Sequence, residues 1–346
     1  MTAVPSLEAQ NAAPPSAAQQ AVRNGFTRHR WSWIDALPFV FAVAMYFMTP
    51  GYLPLWTQVM IQIVFAMSLD LALGYGGIDS LGHVAFFGMG AYSAGLFAMH
   101  VMSDPIVGLL VAAVAGALTA LITGPLVLRT RGLTLVMLTL AVATMIQQLA
   151  NANVMKPITG GADGLFGYNV GRVFGLFSFD LAGKTAFWYA LAIVALVFIV
   201  SKRVVNSPFG LVIRGIRDNP VRMRMLGVNV TRRLVTLYCI SGALAAVAGA
   251  LSAQVTTLVG LDSLAFLLSG NALVMLILGG TGSLYGAIIG ATIFVVLSDR
   301  AAAIDPFNWL FIIGGVLVLA VRFAPKGVVG LLTDWSGRWT AWRGRA

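Results

Sequence analysis

Residues 202–233 read KRVVNSPFGLVIRGIRDNPVRMRMLGVNVTRR. The stretch holds eight basic residues, Lys202, Arg203, Arg214, Arg217, Arg222, Arg224, Arg232 and Arg233, and one acid, Asp218. Nowhere else in the chain do charges gather in this way. Apolar runs long enough to cross a bilayer flank it on both sides. A basic loop between spans belongs on the cytoplasmic face. The loop also carries local helix signals. Phe209 to Ile216 can form a short helix. Asp218 or Asn219 can cap a second one, with Pro220 at its first position and Gly227 closing it. The expectation is a helical knuckle in the cytosol, of a kind that docks a partner.

Composition carries the same message outward. The chain has 346 residues, of which 59% are hydrophobic and only 10% charged. Soluble domains are about a quarter charged, so the solvent here is the bilayer. The net charge is +10, and the knuckle supplies most of it. Charge placed at span ends is accounted for by topology, which excludes nucleic-acid binding as its reason. Cys239 is the single cysteine and lies inside an apolar run, so no disulfide framework or thiolate metal site is expected. His29, His83 and His100 are too scattered for a metal cluster.

Residues 1–33 are expected to be a disordered cytoplasmic tail, rich in Ala, Pro, Gln and Ser and lacking the apolar core of a signal peptide. Residues 34–325 form the expected transmembrane domain, and 326–346 a second cytoplasmic tail. Ten apolar segments follow one another: 34–49, 55–73, 81–100, 106–128, 132–151, 185–201, 234–257, 264–280, 284–298 and 307–321. The first, ninth and tenth are short against the roughly 20 residues that a span needs, so eight or nine crossings remain open. The fold class is all-α and polytopic, with about ten transmembrane helices and both termini in the cytosol. With ten alternating spans, 18 Lys and Arg fall inside and four outside, a strong positive-inside bias.

The longest outer loop, 152–184, is rich in Gly and Phe, and reads as a lid, a surface for an outer partner, or a plain connector. Small residues punctuate the spans, with Gly286 and Gly290 on one helix and Gly88, Gly90 and Gly95 on another. Such residues let helices approach closely in lipid. There is also an internal echo: Gly76, Gly77, Ser80 and Leu81 match Gly279, Gly280, Ser283 and Leu284, each set opening an outward-going helix.

Catalytic chemistry finds little footing. Gly183-Lys184-Thr185 resembles the end of a phosphate loop, but Ser178 stands where the first glycine belongs. Gly88-Met89-Gly90 is followed by Ser93 where a dinucleotide loop has its third glycine. Glu8 is the only Glu. No metal or cofactor is expected on the chain itself. Ionisable groups within the spans, which mark ion paths, reduce to Asp70 and His83. Both read as helix-end residues that reach water. The mid-span polar groups Gln58, Gln62, Gln147 and Asn271 are candidates for lining a substrate path. A transporter body without its own energy source, joined to a basic knuckle, points to a source that docks from the cytosol.

Four blocks carry a family likeness: SPFGLVIRGIRDNPVRMRMLGVNVTRRLV (207–235), GIDSLGHVAFFGMGAYSAG (77–95), TRGLTLVMLTLA (130–141) with ITGGADGL (158–165), and LILGGTGSLYGAIIGA (276–291). Together they resemble the LivM-type permease subunits of branched-chain amino-acid ABC importers, from about residue 55 to 325. The chain departs from the family at Arg222-Met223-Arg224-Met225, where relatives often carry an acidic residue and small ones. The resemblance implies a subunit of the bacterial inner membrane that pairs with a second, homologous permease. It implies two cytosolic ATPases, which use the ATP, and a periplasmic binding protein that delivers solute. It leaves open a branched-chain amino acid, urea, a short amide or an aromatic acid.

The expected docking helix runs from Asn219 to Leu226. Val221, Met225 and Leu226 are its apolar anchors, Arg214, Arg217 and Arg222 its charged rim, and Asp218, Asn219 and Gly227 its ends. Two rival readings make different demands. A self-sufficient ten-span secondary carrier would show short central loops and a charged mid-membrane group. An intramembrane transferase would need acidic metal-binding motifs, for which Asp70 and Asp79 are too little.

Overall fold

The structure, a computed structural model, describes residues 33–171, 183–323 and 327–330. The expected disordered tail, apart from Trp33, lies outside these residues. So do most of the expected C-terminal tail and the stretch 172–182 of the 152–184 loop. The chain divides into two compact units, residues 1–41 and 42–346, and the helical bundle belongs to the second.

The helices are α1 (Leu37–Met48), α2 (Leu53–Asp70), α3 (Val84–His100), α4 (Pro105–Val127), α5 (Leu133–Asn151), the single turn α6 (Lys156–Thr159), α7 (Lys184–Asn206), α8 (Pro208–Asp218), α9 (Pro220–Met225), α10 (Val230–Thr256), α11 (Phe266–Gly279), α12 (Leu284–Ile304) and α13 (Trp309–Phe323). All ten apolar segments of the sequence become helices. Among the described residues, six are long and apolar enough to cross a membrane, and α1, α3, α11 and α13 are shorter apolar helices. One expectation is corrected. The ninth segment is not short: α12 runs 21 residues, because Asp299 and Arg300 extend the helix rather than end it. Arg300 lies over the ring of Tyr52, 5.3 Å from its centroid.

The centre of the bundle is α2. Fourteen of its eighteen residues are buried, as expected for a helix apolar all round. It is packed by α7, α10, α11 and α12. Around it, close seams are built from small residues. Gly116 of α4 and Gly242 of α10 face one another, each lying against the other's carbonyl group. Gly90 of α3 rests on the backbone of Ala246, and Gly249 of α10 on the backbone of Phe87. Gly290 of α12 rests on Met275 of α11. Helices that touch in this way gain dispersion contact, which matters where the surrounding lipid is as apolar as their side chains. By contrast α4 and α5 present long apolar faces outward, with Leu110, Leu118 and Ile122 of α4 and Met137 and Met145 of α5 exposed.

Connections sort to two ends of the bundle. At one end the turn after α2 meets the turn before α12, and the 202–233 loop lies against both. At the other, the two-residue strands β1 (Leu165–Phe166) and β2 (Leu258–Val259) pair antiparallel. There Gly171 N–H donates to the Ser103 carbonyl at 2.7 Å, and Tyr168 Oη–H donates to the Ala253 carbonyl at 2.7 Å. The described part of the 152–184 loop is therefore pinned to α10 and to the turn before α4.

Asp70 and His83 require a second correction. Both are fully buried, with 0% exposure, and do not reach water. Asp70 is covered by Gly74 and by Gly282 of the turn before α12, and His83 packs against Phe65 of α2 and Phe86 of α3. His83 Nε2 lies 3.0 Å from Ser241 Oγ, whose hydroxyl in turn donates to the Ser68 carbonyl. This network ties α2, α3 and α10 together.

Candidate functional site

The basic loop folds into the expected knuckle, and each of its turns has a local cause. Ser207 ends α7 and caps α8, its Oγ accepting from Gly210 N–H at 3.2 Å. Pro208 occupies the first position of α8, where a missing N–H costs nothing. Gly210 sits so close to the Val204 and Val205 carbonyls that a side chain there would collide with the end of α7. The chain reverses at that point. Next, α8 buries Ile213 and Ile216 against the bundle. Of the two residues read as possible caps for α9, Asn219 is the one used: its Oδ1 accepts from Arg222 N–H at 2.9 Å. Gly227 closes α9 with φ +81°. Its N–H donates to the Arg224 carbonyl at 2.9 Å, and Val228 N–H to the Met223 carbonyl at 3.1 Å. These two bonds are the Schellman pattern, which needs a left-handed residue at the turn.

The two faces of the knuckle differ in character. Outward, Val221, Met225 and Leu226 are 53%, 83% and 70% exposed, an apolar tip left uncovered among the described residues. Asp218 and Arg222 are exposed beside it. Inward, Met223 lies over Gly215 of α8. Arg214 and Arg217 also turn inward. Arg214 stacks over the ring of Tyr75 at 5.3 Å and donates from Nη2 to the Val205 carbonyl at 3.4 Å. Arg217 donates from Nη1 to the carbonyl of Gly74, and its stem passes over Gly77. The sequence reading set both arginines on a charged rim. Arg217 remains exposed, and both side chains in addition tie the knuckle to the bundle.

The seat that receives Arg217 is built from both glycine turns of the internal echo. After Asp70, α2 widens into a π turn over Leu71–Tyr75, closed by Gly76 N–H donating to the Leu71 carbonyl at 3.2 Å. Such turns are rare and concentrate at functional sites. Asp70 Oδ1 accepts from Gly282 N–H at 2.7 Å. Gly74 fits between Asp70 and Gly282 with no room for a Cβ. Gly282, at φ +78°, lies against both the Arg217 guanidinium and the Gly74 carbonyl. The second carboxylate oxygen of Asp70 is buried without a hydrogen-bond partner. One residue of the knuckle thus touches the end of α2 and the start of α12 at once. Reading the sequence alone missed Asp70, Gly74 and Gly282 in this role. The available signal was the echo of the two glycine turns beside a charged residue at a span end.

The four candidates for the substrate path lie on α2, α5 and α11. Gln58 is exposed and Gln62 buried, both on α2, and Gln62 Oε1 has no partner. Gln147 is half-buried on α5, 3.5 Å from the Leu261 carbonyl through Nε2. Asn271 is half-buried on α11. No hydrogen bond joins any two of them. Among the described residues no group of three His, Cys, Asp or Glu is placed to hold a metal ion.

Residues 51–321 match a family described as branched-chain amino acid transport system / permease component. The chain is 31% identical over 318 residues to the high-affinity branched-chain amino acid transport system permease protein LivM of Escherichia coli, covering 84% of this chain and 73% of that protein. It is 23% identical over 317 residues to the probable branched-chain amino acid transport permease protein LivM of Methanocaldococcus jannaschii, covering 77% and 89%. It is also 24% identical over 297 residues to the ribose import permease protein RbsC of Haemophilus influenzae, covering 82% and 87%. No solved structure matches the chain.

Proposed function

Because the chain belongs to the branched-chain amino acid permease family of ABC importers, we propose that it forms, with a second homologous permease, the inner-membrane path for a branched-chain or related amino acid. A periplasmic binding protein delivers the solute, and two cytosolic ATPases supply the energy. The permease domain is 34–325, with the knuckle 202–233 as the coupling element. The chain binds no cofactor of its own in this reading.

The observation that carries the proposal is the two-faced knuckle. Its outer face is an uncovered apolar tip, suited to insertion into a cleft on a soluble partner. Positions i and i+4, here Val221 and Met225, share one helix face. Its inner face is fastened through Arg217 to α2 and α12. Movement imposed on the tip is passed to the central helix of the bundle. The ends of the coupling helix are held by Asn219 and Gly227, so it moves as a rigid turn.

Met225→Asp is the direct test. Met225 is 83% exposed, so the change costs the bundle nothing, and membrane insertion and melting of the purified subunit are expected to stay normal. Co-purification with the ATPase subunits is expected to fall at least tenfold, since burying an unpaired charge in an apolar cleft costs a few kcal/mol. Full retention of the ATPases and of uptake would remove the docking role.

Sidedness has its own test. The ten-span reading puts 152–184 in the periplasm and the knuckle and both termini in the cytosol. Single cysteines Ala162→Cys and Val221→Cys are placed in a chain lacking Cys239. An impermeant thiol reagent is added to cells whose outer membrane has been made permeable. Residue 162 is expected to label and residue 221 only after the inner membrane is opened. The reverse pattern would invert the topology.

A further inference from the structure

Between the α4–α5 loop and the knuckle lies a cleft of about 380 Å³. Arg129 and Arg131 reach it from the loop, and Arg217 and Arg224 from the knuckle, while Asp79 is the one acid among its walls. Arg217 is partly engaged by the Gly74 carbonyl. The guanidinium groups of Arg129, Arg131 and Arg224 make no ion pair or hydrogen bond among the described residues. Four guanidinium groups against one carboxylate leave the cleft strongly positive and unneutralised. Guanidinium forks match the oxygens of a phosphate group.

The position of the cleft selects the source of that phosphate. The loop carrying Arg129 and Arg131 joins two helices whose outward faces are apolar. Leu126 before it and Leu133 after it are 59% and 78% exposed. Hydrocarbon-facing surface therefore runs up to the arginines from both sides, and the arginines stand where acyl chains end and headgroups begin. Basic pockets at the cytoplasmic ends of helices, in a leaflet of negative surface potential, attract anionic headgroups. An acidic segment of a cytosolic ATPase is a different occupant. It is disfavoured because the knuckle's exposed apolar tip is on α9, whereas this cleft opens beside the lipid-facing helices α4 and α5.

We propose that the cleft binds the phosphate of an anionic phospholipid of the cytoplasmic leaflet, with Arg129 and Arg131 as its principal ligands and Arg224 closing it from the knuckle. The lipid would then bridge the bundle's rim to the coupling element. The proposal rests on the knuckle being cytosolic, which the cysteine labelling above tests separately.

The experiment uses the full chain, purified in detergent and stripped of lipid, with retained lipid counted by native mass spectrometry. Short-chain phosphatidylglycerol and phosphatidylcholine are titrated in parallel, and inorganic phosphate is added as a competitor. The wild-type chain is expected to retain phosphatidylglycerol in preference to phosphatidylcholine. The double variant Arg129→Gln with Arg131→Gln is expected to retain it about thirtyfold more weakly, at about fivefold per arginine. Its phosphatidylcholine binding should be unchanged. Equal retention of both lipids by the wild type, or unchanged phosphatidylglycerol binding in the variant, would overturn the proposal. So would displacement by inorganic phosphate at the same concentration, which would assign the site to a free anion. Loss of ATPase co-purification with lipid retention intact would assign the arginines to the protein partner instead. If the double variant melts early, Arg224→Gln, at an exposed position, carries the same comparison.

Discussion

Arg217→Ala is expected to abolish most uptake while leaving the ATPases bound and hydrolysing ATP. The Arg217 side chain holds the Gly74 carbonyl at the end of α2 and lies against Gly282 at the start of α12. Truncation leaves the apolar tip at Val221, Met225 and Leu226 in place, so docking survives. What is lost is the tie between the docked element and the central helix. Coupling energies between distant sites usually run about 1–3 kcal/mol, or about 5- to 150-fold, and uptake per ATP is expected to fall within that range. Arg217→Lys restores one donor and should recover part of the loss. The measurement is uptake and ATP hydrolysis in proteoliposomes holding the full complex. If Arg217→Ala lowers ATPase co-purification in proportion to uptake, the residue belongs to the docking contact and the transmission role is wrong. If neither changes, the seat on the two glycine turns is without function.

Gly249→Val is expected to remove most folded protein from the membrane. A Cβ at Gly249 would overlap the Phe87 carbonyl group and come within 3.0 Å of Ala91 N. These are backbone atoms of α3 and cannot swing aside as a side-chain end would. Overpacking costs about 1–3 kcal/mol even where side chains can adjust, and a branched side chain against rigid backbone should reach or exceed the top of that range. Total stabilities of roughly 5–15 kcal/mol leave little room for it. Gly314→Val is the control, because a Cβ there meets nothing within 4 Å. Expression, gel-filtration profile and thermal melting are compared for the two. A Gly249→Val protein that melts with the wild type would refute the close α3–α10 seam.

Much of this architecture could be read before any coordinates. The apolar segments, a cap at Asp218 or Asn219, and the left-handed closure at Gly227 are local features. Each depends on residues within four or five positions of one another, on hydrophobic length and on backbone sterics, all of which are written along the chain. The asymmetric distribution of Lys and Arg is equally a property of the sequence, and with the four family blocks it pointed to the importer family rather than to a secondary carrier.

The seat of the knuckle was not legible in the same way. Gly282 N–H reaches Asp70 across 212 positions, and Arg217 reaches Gly74 across 143. Nothing in the spacing of these residues pairs them. Their meeting follows from which turns the helix seams bring to one end of the bundle, and those seams are set by backbone contact at Gly90, Gly116, Gly242, Gly249 and Gly290. The burial of Asp70 and His83 has the same origin. A charged residue near a span end reaches water unless another segment covers it, and the covering turn is positioned by packing. The inward direction of Arg214 and Arg217 likewise depends on α8 lying with Ile213 and Ile216 against the bundle. Local chemistry made the knuckle a helix pair. Packing between helices far apart in the chain chose which of its arginines touch the bundle and which stay free of it.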